Sequence, residues 1–65
     1  MNLTKVQRGV LAKIKESPWR LHETDREAAA LAGAGLIIAA EWWSDGSALY
    51  RITPAGRNAL DKERG

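Results

Sequence analysis

Apolar residues recur near the start of the chain at Leu3, Val6, Val10, Leu11 and Ile14, a spacing that traces one stripe of an α-helix. Lys5, Arg8, Ala12 and Lys15 fall on the opposite side and are expected in water. Asn2 or Thr4 suits the start as a cap. Ser17-Pro18 ends the helix, because a residue before proline is pushed out of the helical region. The pattern predicts a first helix over about residues 4 to 16.

Trp19 to His22 is too short for more than a turn or a brief extended stretch, with Leu21 pointing inward. Thr24 stands three residues before Glu27, a capping-box pattern that opens a second helix. Asp25 and Glu27 in its first turn suit the positive end of the helix dipole. The run from Ala28 to Ala32 has strong helix propensity, with Ala28, Leu31, Ala32 and Leu36 as its inward stripe. Gly35 is placed to end the helix in the left-handed conformation.

From Ile37 the pattern changes. Ile37 to Trp43 and Ala48 to Thr53 are rich in strand formers and are separated by Ser44-Asp45-Gly46-Ser47, which reads as a hairpin. With Asp45-Gly46 at the turn, Trp42 opposes Leu49 and Trp43 opposes Ala48. Alternation then puts Ile37, Ala39, Tyr50 and Ile52 on one face, and Ile38, Ala40, Trp42 and Leu49 on the other. Thr53-Pro54 is an N-cap followed by proline at the first helical position, opening a last helix to about Lys62. Ala55, Ala59 and Leu60 are its packing residues. The expected fold is mostly α with one β-hairpin, an α+β class in the order helix, helix, hairpin, helix.

The chain's 65 residues make room for one domain, spanning 1–65. A domain this small buries only roughly 60% of its unfolded surface. Disulfides are excluded as reinforcement because there is no cysteine, and a metal is not expected where His22 is the only histidine. That leaves a partner subunit as the added support. No apolar run approaches a membrane span. Met1 to Lys5 do not lead into a signal-peptide core, so a cytoplasmic protein is the default expectation.

The net charge of +2 hides a segregation. Residues 1 to 20 carry Lys5, Arg8, Lys13, Lys15 and Arg20 against Glu16, a balance of +4. Residues 21 to 45 carry Arg26 against Glu23, Asp25, Glu27, Glu41 and Asp45, a balance of −4, and the last twenty return to +2. The plain account is a set of solvated faces; the sharper one is a basic end that meets a phosphate backbone or an acidic partner.

Two segments resemble winged-helix DNA-binding domains. Leu31 to Ile37, ending Gly35-Leu36-Ile37, looks like the end of a recognition helix turning into the wing. Tyr50-Arg51-Ile52-Thr53-Pro54-Ala55-Gly56-Arg57 is similar to the return strand and following helix of the MarR and PadR types. The resemblance covers roughly residues 28 to 60 and implies a minimal winged helix (winged helix-turn-helix) in a transcription regulator. The sequence departs from that plan before the recognition helix. Only Ser17 to Ala34 lies between the first helix and the wing, room for one helix where the family has two.

No catalytic constellation accompanies His22. Glu23 and Asp25 are its only acidic neighbours, there is no second histidine at zinc-helix spacing, and no glycine-rich phosphate loop is present. The expectation is a non-enzymatic protein with no cofactor and no small-molecule substrate. By the resemblance, its partner is double-stranded DNA. The second helix would lie in the major groove, with Thr24 and Arg26 as contacts, Ser44 and Ser47 at the wing tip, and Lys5 or Arg8 on phosphate. The helix's outward positions, Arg26, Ala29, Ala30 and Gly33, offer one long donor, which counts against base reading. The alternative is a protein-interaction adaptor or homodimer. Its interface would be the outer wing face of Ile38, Trp42 and Leu49, since exposed apolar patches mark partner surfaces; the plainer account folds Trp42 over its own core.

Overall fold

Thr4 opens the first helix, α1 (Lys5–Glu16), through a reciprocal cap. Its hydroxyl accepts from the Gln7 N–H at 3.1 Å, and the Gln7 side-chain oxygen accepts from the Thr4 N–H at 3.0 Å. The computed structural model describes residues 3–64, with side chains through Lys62, so Asn2 lies outside the described residues. Ser17, extended before Pro18, closes the helix.

The chain then enters β1 (Trp19–His22), crosses through α2 (Arg26–Gly33), forms the hairpin β2 (Ile37–Trp42) and β3 (Ser47–Ile52), and ends in α3 (Pro54–Arg64). The helix, helix, hairpin, helix order holds, and the class is α+β. The short stretch after α1 is a full strand: β1 pairs antiparallel with β3, giving a three-stranded sheet of order β1-β3-β2. No helix of the described residues is long and apolar enough to cross a membrane.

Asp25, not Thr24, caps α2. The Asp25 carboxylate accepts from the Ala28 N–H at 3.0 Å. Thr24 is drawn back towards β1, where its hydroxyl lies 2.9 Å from His22 Nδ1. The helix leaves through Gly35 at φ 78°, with the Gly35 and Leu36 N–H groups satisfying the Ala32 and Leu31 carbonyls.

Leu11 and Leu31 are the fully buried centre, ringed by Leu3, Ile14, Ala28, Leu36, Ile37, Ala48, Tyr50 and Leu60. Val6 is not part of that stripe and stands 60% exposed. At about 100° per residue, Val6 lies on the flank shared with Lys13 rather than on the Leu11–Ile14 line. In α3, Ala55 is exposed and Gly56 takes the buried place expected of it. Thr53 caps this helix, accepting from the Gly56 N–H at 3.1 Å, and also donates to the Gly35 carbonyl at 2.7 Å.

Two glycines give opposite expectations. Gly9 lies within α1, where an added Cβ meets nothing within 4 Å. Gly9→Ala should therefore stabilise by about 0.5–1 kcal/mol and raise the melting temperature by several degrees. At Gly56 a Cβ would overlap the Leu36 carbonyl oxygen and sit 2.7 Å from Ile52 Cγ1. Gly56→Ala should lower the melting temperature by more than Gly9→Ala raises it. Thermal unfolding followed by circular dichroism checks both, and the reverse order would contradict the packing described.

Candidate nucleic-acid interface

Lys5 and Arg8 are exposed on α1 and line an open groove of about 690 Å³ closed on the other side by Leu60 of α3. Its floor is Gly9 and Ala12, and Lys15 and Glu16 stand at its far end. The two candidate phosphate contacts are thus brought together on a helix face with no bulky apolar cover.

The wing differs in register from a two-residue Asp45-Gly46 turn. The Gly46 N–H donates to the Trp43 carbonyl at 3.2 Å, the Trp43 N–H donates to the Ser47 carbonyl at 2.9 Å, and Gly46 has φ 88°. This is a three-residue loop with glycine in the left-handed position. It shifts the pairing by one, so Trp42 faces Ala48 and Glu41 faces Leu49. A bulge at Ala40 shifts it again, giving Ala39 opposite Tyr50, Ile38 opposite Arg51 and Ile37 opposite Ile52.

The expected inward set of Ile37, Ala39, Tyr50 and Ile52 is intact, whereas the outer set is split. Ile38 shares the outer face with Leu49, but the three-residue loop gives Trp42 the face of Ala48, and the bulge puts Ile38 and Trp42 on opposite faces. Ile38 and Trp42 are 60% and 58% exposed, and Leu49 is half-buried. Trp42 and Leu49 are therefore not a cross-strand pair.

A polar network at the wing turn carries residues the sequence pattern did not single out. Arg20 Nε donates to Ser47 Oγ at 2.8 Å, its Nη2 donates to Asp45 Oδ2 at 3.1 Å, and its guanidinium lies 4.1 Å from the Trp43 ring centre. Asp45 Oδ1 accepts from the Ser47 hydroxyl at 2.6 Å and from its N–H at 2.9 Å. His22 Nε2 lies 2.7 Å from the Asp45 carbonyl oxygen, so that nitrogen bears the proton, and Nδ1 accepts from the Thr24 N–H at 3.2 Å. The Glu23 N–H donates to the Gly46 carbonyl at 2.9 Å. The segment before α2 is thereby fastened to the wing turn.

No family model, curated protein or solved structure matches the chain.

The six candidate DNA contacts thus fall into two groups. Lys5 and Arg8 lie together on α1. Thr24, Arg26, Ser44 and Ser47 lie at the wing end, where Thr24 and Ser47 are joined through His22 and Asp45. Ser47 is withdrawn from any external contact: it is 5% exposed and its hydroxyl is committed to Asp45 and Arg20. Thr24 is exposed but held by His22, whereas Arg26 and Ser44 are exposed with no side-chain partner among the described residues. Only the Asp45–Ser47 spacing signalled the network locally, as a side-chain-to-backbone turn. Arg20 reaches it from β1, distant in sequence, and closes over Trp43 at the base of the loop.

The hydrogen bond from the Ser47 hydroxyl, then that from its N–H, and then the Arg20 charge hold the Asp45 carboxyl below its ordinary 3.8. A depressed folded value means the turn's contribution is present above 3.8 and lost as pH falls through the lower folded value. An NMR titration of Asp45 should find a midpoint under 3.8. Ser47→Ala and Arg20→Ala should each raise that midpoint. A midpoint unmoved by both would contradict the geometry.

Proposed function

We propose that the chain is a non-enzymatic module that binds double-stranded DNA, built as a minimal winged helix. The observation that carries this reading is the strand order β1-β3-β2. A strand leaving the first helix closes on the return strand of a hairpin, and the helix between them leads directly into that hairpin. The run of α2 into that hairpin, and of its return strand into α3, is the chain path that the resemblance at Leu31–Ile37 and Tyr50–Arg57 implies. One helix stands where the family has two.

The binding chemistry is phosphate contact rather than base reading. The exposed positions of α2 are Arg26, Ala29, Ala30 and Gly33. Base edges in the major groove are read by Arg, Lys, Asn or Gln, and a single arginine offers too few donors for a sequence code. Retardation of short random duplexes should therefore be alike from one sequence to another and fall steeply between low and moderate salt. No retardation at low salt, or strong preference for one sequence, would defeat the reading.

A protein-interaction role is favoured by a different observation: β2 lies at the sheet edge with Ile38 and Trp42 both more than half exposed. Here Trp42 acts alone, without Leu49. On this reading Trp42→Ser weakens self-association or partner binding by roughly thirtyfold, about 2 kcal/mol, with the fold retained. Sedimentation with circular dichroism tests it. A monomeric wild type at high concentration would eliminate self-association, and an unfolded variant would assign Trp42 to the core.

A further inference from the structure

The α1 groove does not end at Lys15. A second, smaller hollow of about 170 Å³ shares Lys15 and Glu16 with it and continues past Ser17 and Pro18 to Arg51 on β3 and Arg57 on α3. The two together form one path lined, among the described residues, by five cations, Lys5, Arg8, Lys15, Arg51 and Arg57, and by the carboxylate of Glu16. All five are exposed, and Lys5, Lys15, Arg51 and Arg57 make no side-chain hydrogen bond or ion pair among the described residues. Gly9 and Ala12 leave the floor low, and a Cβ at Gly9 would meet nothing.

The wing end has the opposite character. Glu23 and Asp25 lie between β1 and α2, Glu27 on α2, and Glu41 and Asp45 on the wing. Arg20 and Asp45 pair at 3.1 Å and offset each other, which leaves Arg26 against four carboxylates. A duplex laid against α2 and the wing tip would bring its phosphates to these carboxylates.

We infer that duplex DNA is held along the α1–α3 path from Lys5 to Arg51 by its phosphate backbone, with α2 and the wing tip turned away from it. The inference rests on the DNA-binding reading above and names the surface that performs it. Ten residues separate Lys5 from Lys15, a rise of about 15 Å along the helix. A duplex of that length presents roughly nine phosphates, so the five cations meet adequate charge without any base contact.

The experiment compares salt dependence of duplex binding for wild type, Lys15→Gln/Arg57→Gln and Arg26→Ala/Ser44→Ala, each checked by circular dichroism. Each phosphate contact contributes about 0.9 to the slope of log K against log salt. Lys15→Gln/Arg57→Gln should therefore flatten the slope by roughly two and weaken low-salt binding at least tenfold on every sequence, while Arg26→Ala/Ser44→Ala leaves both unchanged. Should the first pair perturb the fold, Lys5→Gln/Arg51→Gln, drawn from the two ends of the path, is read in its place with the same expectation. Wild type that binds, with the slope kept in the path variants and lost in Arg26→Ala/Ser44→Ala, overturns this inference and leaves the DNA reading standing. Wild type that binds no duplex at low salt overturns both.

Discussion

The junction at Leu36 is the constraint on which the rest of this small domain depends. The Leu36 carbonyl accepts from the Thr53 N–H at 3.1 Å, and the Thr53 hydroxyl donates to the neighbouring Gly35 carbonyl at 2.7 Å. Gly56 lies against the same Leu36 carbonyl so closely that no side chain fits between. The exit of α2, the start of β2, the end of β3 and the start of α3 therefore meet at one point. α2 and α3 orient each other through it. In a core as thin as this one, such backbone registration replaces the packing mass a larger domain would have.

A second organising contact is polar and local. Arg20 crosses β3 to reach Asp45, Ser47 and Trp43, so β1 is joined to the wing by side chains as well as by its ladder to β3. The pair cancels one charge of each sign at that end. The acidic character of α2 and the wing comes from the remaining carboxylates, Glu23, Asp25, Glu27 and Glu41, against Arg26.

What was legible in the sequence was whatever a few neighbouring residues decide. The α1 stripe, the Thr4 cap, the proline stop, the left-handed Gly35 and the Thr53-Pro54 start each depend on local sterics and hydrogen bonds. Where two caps competed at Thr24 and Asp25, the outcome turned on His22, whose ring was fixed in turn by the distant Asp45 carbonyl. The hairpin register was misjudged because Gly46 supports either a two- or a three-residue loop, and nothing local distinguishes them. The Ala40 bulge was invisible for the same reason. Among the candidate contacts, the exposed Lys5, Arg8, Arg26 and Ser44 were readable from periodicity. The withdrawal of Ser47 was not, since it requires Arg20 across the sheet.

The Ala40 bulge has a consequence for solubility. An outer strand carrying Ile38 and Trp42 presents free backbone donors and acceptors beside sticky side chains, the arrangement that lets chains add edge to edge into fibres. One extra residue midway along β2 breaks the two-residue repeat that an incoming strand must match. Growth from this edge meets a phase error after three residues. The same alanine that sets Ile38 and Trp42 on opposite faces thus guards a small, thinly cored protein against polymerisation.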